Sequence, residues 1–282
     1  ALVVGRQEDV KTKLEAAGLS DAVRELEVVN AANTQHLDTY KAFLYERLGR
    51  KGFDRQDIHR LAARDRHVFS ALMLAHGHGD GLVTGATRKS AHALDRINHV
   101  FDATSEHGVA GITALLHKGR IVLIGDTLVQ EWPDAEDLAT IAERAADVAR
   151  HMGLEPRVAF VSFSTFGYPV SERAEKMHQA PEVLERRGVD FEFEGEMTVD
   201  VALNETAQAQ YPFCRLTGPA NILIVPARHS ASISVKLMQE MGGATVIGPI
   251  LSGLDKPVQI CSTVSTANDI MNMAVLASCK IG

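Results

Sequence analysis

The chain has 282 residues, of which 45% are hydrophobic and 23% charged, and its net charge is −7. That balance describes a soluble globular protein large enough for two α/β lobes. The acidic charge and a pI near 5.9 give no reason to expect a nucleic-acid partner, and no apolar run approaches the roughly 20 residues that span a bilayer, so no membrane partner is expected. Three cysteines, Cys214, Cys261 and Cys279, are an odd number without metal-ligand spacing. They suit a reducing cytoplasm. The chain opens on Ala1, so a targeting segment upstream would not be visible.

Residues 1–5 read as a strand, and Arg6 to Ala17 as a helix ended by Gly18. Glu27 to Val29 is a short strand. His36 to Arg50 is helical, with Leu37, Tyr40, Phe43 and Leu44 on one side. The basic end RLGRKG (47–52) suits the helix dipole, and its charge would also suit a phosphate. Residues 54–75 give two more helical pieces. The pair His76 and His78 has glycines around it and no acidic or cysteine ligand at helical spacing, so it reads as a polar loop and no metal is expected. GLVTG (81–85) is a strand running into a glycine turn, followed by ATRKS and a helix from near Ser90. Thr84, Arg88 and Lys89 at that strand-to-helix turn suit an anionic ligand.

From Ala110 to Leu128 the pattern is strand, HKGR turn, strand, with Asp126 at the second strand's end. A helix follows across EWPDAEDLATIAERAADVARHMG, with proline and acids at its start and Gly153 at its end. RVAFVSF (157–163) is apolar throughout, as a buried parallel strand is. Further strands are expected at 189–197 and 220–226, with a short helix at 198–209 and a longer one from Arg228 to Met241. The stretch Gly242 to Asn272 has apolar runs broken by Gly248-Pro249, Gly253 and Pro257. Val258 to Ile260 is a strand, and Ser265-Thr266 is a helix N-cap signal. Cys261, Ser262 and Thr263 end that strand, and Asp269 and Asn272 fall on the first turns of the last helix. Strands alternate with helices throughout, which predicts an α/β fold with mostly parallel sheets.

The segments LVVGRQEDV, GDGLVTGAT, DAEDLATIAERAADVAR, RVAFVSFST, GPANILIVP and GGATVIGPILSGLDKPV occur in this order. On them, the chain resembles the phosphate acetyltransferase family from Ala1 to nearly Gly282. The resemblance implies two mostly parallel open-sheet lobes around a cleft, of the isocitrate/isopropylmalate dehydrogenase-like type. It places the first lobe at 1–104 plus 250–282 and the second, dimerising lobe at 105–249. The family starts with one more strand-helix unit than this chain, which implies a piece of a longer polypeptide.

The departures from the family are chemical. The family's catalytic serine is followed by an arginine, with an aspartate seven residues after the serine. Ser262 and Asp269 match, but Thr263 holds the arginine's place. A second family arginine corresponds to Asp95, with Arg96 beside it, and a third to Arg47 or Leu48. The family's phosphate-contacting loop is here Phe166-Gly167-Tyr168-Pro169, and family asparagines become His229 and Ser232. Acyl transfer from acetyl phosphate to a thiol needs cations on the phosphate and the oxyanion, so no residue of this chain is expected to be catalytic.

The pattern is most like the C-terminal domain of hybrid NADP-dependent malic enzymes. That resemblance implies a regulatory domain that binds acetyl-CoA as effector, in cis with an N-terminal malic-enzyme domain that holds NADP and a divalent metal. The implied acetyl-CoA contacts are Thr84, Arg88, Lys89, Lys236, Ser262, Thr263 and Asp269. Two alternatives stand beside it: an active phosphate acetyltransferase, and a structural dimerisation module with an empty cleft. No G-x-G-x-x-G fingerprint occurs here, so no nicotinamide site is expected within this chain.

Overall fold

The structure, a computed structural model, describes residues 1–104, 108–171 and 174–279. Its elements alternate as the sequence pattern predicts. They run β1 Leu2–Val4, α1 Gln7–Ala16, β2 Glu27–Val29, α2 Leu37–Leu48, α3 Arg55–Arg64, α4 Arg66–Ala75, β3 Leu82–Gly85 and α5 Ser90–Ile97. Then come β4 Ala110–His117, β5 Arg120–Gly125, α6 Ala135–His151, β6 Arg157–Val161, α7 Glu175–Arg187, β7 Glu192–Met197, α8 Val199–Leu203 and α9 Glu205–Gln208. The chain closes with β8 Ile222–Ile224, α10 Arg228–Glu240, β9 Thr245–Ser252, β10 Val258–Cys261 and α11 Ala267–Ser278. Among the described residues, no helix is long and apolar enough to cross a membrane.

The first lobe carries two short parallel pairs, β1 with β2 and β3 with β10. β1 and β3 face each other across a cavity of about 560 Å³ bordered by α4. Helix α4 is the lobe's apolar centre, with Val68, Phe69, Ala71, Leu72 and Leu74 all buried. The strand β10 comes from the far end of the chain. Its Val258 and Ile260 join the same core as Phe69 and Leu72.

The second lobe is built on one six-stranded sheet in the order β7-β6-β8-β5-β4-β9. The pairings from β7 to β5 are parallel, and those from β5 through β4 to β9 are antiparallel. The two-residue loop Lys118-Gly119 joins β4 and β5, and both residues have positive φ, 49° and 74°. That is the twist a tight hairpin needs, and the reason HKGR works as a turn. Alternate side chains of the sheet enter two cores: Leu123 packs with α6 and α7, and its neighbour Ile124 with α8 and α10. Alanines 139, 142, 145, 146 and 149 of α6 are all buried, which lets that helix lie close on the sheet.

Gly248-Pro249 does not break its strand as the sequence suggested. Ile112 pairs with Ile250 and Ala114 with Ile247, so Gly248 and Pro249 together oppose Thr113. The extra residue makes a β-bulge on an edge strand, where proline's missing N–H is tolerated. β9 therefore continues to Ser252, across the lobe boundary expected at 249/250. Its Ile250 belongs to the second lobe's core and its Leu251 to the first's. The other expected boundary, 104/105, abuts residues 105–107, which lie outside the described residues. The helix expected at 198–209 is two short helices, because Asn204 caps the second through the amides of Thr206 and Ala207.

Where the lobes meet, Asp126 is 2% exposed. Its carboxylate accepts backbone N–H groups from Gly111 (2.9 Å), Leu128 (2.8 Å), Val129 (3.0 Å) and Gln130 (2.6 Å). Burial pushes its pKa up, and the amides of Gln130, Leu128, Val129 and Gly111 pull it back. An asparagine there has one acceptor oxygen and turns an NH₂ toward amide donors. Asp126→Asn is therefore expected to lower stability by about 2–4 kcal/mol in denaturant titrations. A loss within about 0.5 kcal/mol, usual for a surface change, would show that the amides do not depend on this carboxylate.

Candidate functional site

The site begins with the pairing of β3 and β10. Ile260 lies opposite Thr84 and Cys261 opposite Gly85, so both strands end at one level and their following loops are neighbours. That is where open α/β sheets place ligands. Gly85 has φ 102°, and a Cβ there would fall on the carbonyl oxygen of Cys261. Only glycine lets the two strand ends approach so closely.

After β10 the chain makes a short turn. Ser262 Oγ accepts from Val264 N at 3.1 Å, and Ser262 O from Ser265 N at 3.2 Å. Thr266 then caps α11. Asp269 Oδ2 accepts from Thr266 N (2.7 Å) and Thr266 Oγ1 (2.9 Å), while Thr266 Oγ1 accepts from Asp269 N (3.2 Å). This is a capping box with aspartate in the usual glutamate position. The sequence signal at Ser265-Thr266 located it, with Thr266 as the cap.

Ser262 and Asp269 line one cavity of about 180 Å³ with Ser265 and Asn272. Gln239 of α10 and Gly248 of β9 close it from the second lobe. Among the described residues, no lysine or arginine lines it. Burial pushes the Cys261 thiol pKa up, and the Asp269 carboxylate adds to the shift. Gln239 escaped the sequence reading because its position is set by how the lobes pack, and no local pattern marks it. Asn272 repeats from Asp269 at i+3, which is the one signal that located it.

The remaining expected contacts are dispersed. Thr84 lines the cavity between β1 and β3 instead. Its hydroxyl lies 2.6 Å from Nδ1 of His67, a residue whose pKa is lowered chiefly by burial. The amides of Ala86 and Thr87 on the same turn are already donated to Cys261 O (3.1 Å) and Gly85 O (2.7 Å). The tight turn at Gly85 directs them inward. Arg88 and Lys89 are exposed on the same turn and form no ion pair with a described residue. Thr263 is exposed and lies outside the 180 Å³ cavity's lining. Lys236 is exposed on α10, three residues before Gln239.

The neighbouring cations are already used. Arg96 Nε sits 3.4 Å from Asp65, and Arg96 borders another cavity with Phe53 and Arg64. Arg47 pairs with Asp102 at 2.7 Å, and Leu48 is buried in the core. The loop Phe166-Gly167-Tyr168-Pro169 offers no cation, and its Gly167 N donates to Glu196 at 2.9 Å. His78 Nδ1 lies 2.7 Å from the Tyr40 hydroxyl. No three His, Cys, Asp or Glu side chains among the described residues gather as a metal site.

Comparison with known proteins places this geometry. The sequence profile described as phosphate acetyl/butaryl transferase matches residues 1–278. An NADP-dependent malic enzyme of Rhizobium meliloti is 47% identical over 282 residues, covering 100% of this chain and 37% of that protein. A phosphate acetyltransferase of Bacillus subtilis is 26% identical, covering 99% of this chain and 86% of that protein. Among solved structures, a phosphotransacetylase from Streptococcus pyogenes superposes with a TM-score of 0.88 at 27% identity, over 98% of this chain and 84% of that one. The chain spans 37% of the length of the malic enzymes it matches. A match across both lobes, with the β3–β10 strand ends at their junction, establishes that this chain belongs to the phosphate acetyl/butaryl transferase family.

Proposed function

We propose that this chain is a regulatory acetyl-CoA-binding and dimerising domain of an NADP-dependent malic enzyme, without phosphate acetyltransferase activity of its own. The observation that carries the reading is the cavity around Ser262 and Asp269. It keeps a hydroxyl and a carboxylate, and among the described residues no basic side chain lines it. Transfer of an acetyl group between phosphate and a thiol develops negative charge on phosphate and carbonyl oxygens. Without a cation that charge is unsupported, and one such contact typically contributes about 2.7–4 kcal/mol to the transition state. A neutral polar cavity still hydrogen-bonds a thioester, so binding outlasts catalysis.

The rest of the reading follows from this. The 47% identity to a protein named as an NADP-dependent malic enzyme supports a parent of that kind. Oxidative decarboxylation of malate, with NADP and a divalent metal, belongs to an N-terminal domain in cis. Arg88 and Lys89, exposed and unpaired on the turn beside Ser262, are the cations we assign to the CoA phosphates. Lys236 approaches from the facing lobe, and Thr263 lies at the rim. The setting is the cytoplasm, in keeping with three free cysteines. Dimerisation is supported by α10, where Ile233, Leu237 and Met241 recur at four-residue spacing and are 57%, 52% and 84% exposed. Such a stripe on a surface helix is an isologous contact in search of its copy. The phosphate acetyltransferase of Bacillus subtilis, at 26% identity, favours the rival reading of an active transferase.

Three measurements address the proposal. A coupled assay of pure protein with acetyl phosphate and CoA is expected to give no turnover above background. Rates of about 1–10³ per second, ordinary for enzymes, would establish the rival transferase. Calorimetry with acetyl-CoA is expected to detect binding that Arg88→Ala and Ser262→Ala each weaken by about 5- to 20-fold, the cost of losing one polar contact of about 1–2 kcal/mol. Absence of binding at millimolar acetyl-CoA would leave a structural module instead. Light scattering is expected to give a dimer that Leu237→Asp converts to monomer, and a monomeric wild type would remove the dimer from the proposal.

A further inference from the structure

The parallel strands β5, β8 and β6 lie side by side in the second lobe, and the loops after their C-terminal ends meet. They enclose a cavity of about 860 Å³. Trp132 comes from the loop after β5, Phe163 from the loop after β6, and His229 from the start of α10 after β8. Trp132 is the chain's only tryptophan. It is 70% exposed, and Phe163 is 60% exposed. A large ring left in water on one wall of a cavity is a surface that a ligand or partner can cover.

The rings are held in place. Lys176 Nζ donates to Pro133 O at 2.9 Å and Pro226 O at 2.7 Å, which ties the Trp132 loop to the His229 loop. The same ammonium is 6.0 Å from the Trp132 ring. His229 leans on Trp132 with ring centroids 5.1 Å apart, in the range of favourable aromatic pairs. Arg228, beside His229 in the chain, is engaged with Glu131 at 3.3 Å and Leu128 O at 3.2 Å. Lys176 is committed to its two carbonyls, and Glu175 adds a negative charge to the lining. Among the described residues, the cavity thus offers aromatic faces, the small polar groups of Ser162, Gln179 and Ser230, and no uncommitted cation in its lining. It suits a neutral, flat, heteroaromatic ring with hydrogen-bonding edges, and does not suit a phosphate.

We propose that the cavity of Trp132, Phe163 and His229 is a stacking site for the purine base of a nucleotide. It deepens the acetyl-CoA reading and rests on it only for the rest of the ligand, since the base of CoA is a purine. The site is separate from the Ser262 and Asp269 cavity, and the two share no lining residue. Nucleotides other than CoA carry the same ring, so adenosine, ATP and acetyl-CoA serve as probes.

Because Trp132 is the sole tryptophan, the fluorescence of the 282-residue chain reports on this cavity alone. Adenosine and acetyl-CoA are expected to quench it saturably. Phe163→Ala and His229→Ala are expected to weaken adenosine binding about 5- to 20-fold, as loss of one stacking partner does. Trp132→Ala, followed by calorimetry, should weaken it at least as much, and its exposed position keeps the fold intact. Quenching by ATP and adenosine but not acetyl-CoA would keep the base site and assign it to free nucleotides. Acetyl-CoA binding detected by calorimetry while neither adenosine, ATP nor acetyl-CoA changes Trp132 fluorescence would overturn the base site and leave the proposed function standing. No quenching by any probe at millimolar concentration would also overturn it. Fluorescence that changes with protein concentration, and not with adenosine, would overturn it in favour of a second copy covering the rings.

Discussion

The parallel pairing of β3 with β10 is the constraint on which the rest of the molecule depends. It brings Cys261, near the end of the chain, beside Gly85 in its first third. Because β10 completes the first lobe, the chain must leave that lobe, build the second and return. The two crossings fix how the lobes face each other. The close approach at Gly85 sets the level at which both following loops emerge. Ser262, Arg88 and the cap of α11 are all placed by it. Asp126 has the matching role at the other crossing, gathering four backbone amides where β4 and β5 meet the interlobe loop.

The polar groups of the Ser262 and Asp269 cavity are held by their own segment. Asp269 spends its carboxylate on the Thr266 cap, and Ser262 accepts an N–H from its own turn. Among the described residues, no lysine or arginine lines that cavity. Arginines do occur nearby in sequence, but acids hold them: Arg96 by Asp65, and Arg47 by Asp102. Arg88 and Lys89, by contrast, stay exposed on the turn after β3. In the proposed reading, an effector bound between the two lobes would alter their relative position. Coupling of that kind is typically about 1–3 kcal/mol.

The second lobe offers a different chemistry at its own strand ends. Its loops carry aromatic rings where the first lobe carries hydroxyls and a carboxylate. A ligand with both a flat base and a polar acyl end has matching surfaces on the two lobes. The apolar stripe of α10 runs between them, since Ser230 and His229 at its start line the aromatic cavity and Gln239 near its end lines the polar one. A dimer contact on that helix touches the element that both cavities share.

The sequence by itself determined the element order, because hydrophobic period, caps and turn residues act over a few positions. Thr266 as a cap, Lys118-Gly119 as a hairpin turn and Gly153 as a helix end were all legible for that reason. Ser262 and Asp269 as neighbours were legible because seven residues across one turn and a helix start keep them close. Only the tertiary structure decided what depends on distant partners. Gly248-Pro249 looked like a break, yet the facing Thr113 absorbs it as a bulge. Thr84 looked like a phosphate ligand, yet His67 from another helix takes its hydroxyl. Arg96 stands next to the position of a family arginine, and Asp65 holds it. Trp132 looked like the start of a helix, and the meeting of three strand ends made it the wall of a cavity. In each case the local pattern named the group, and a residue far away in the chain decided whether that group was free.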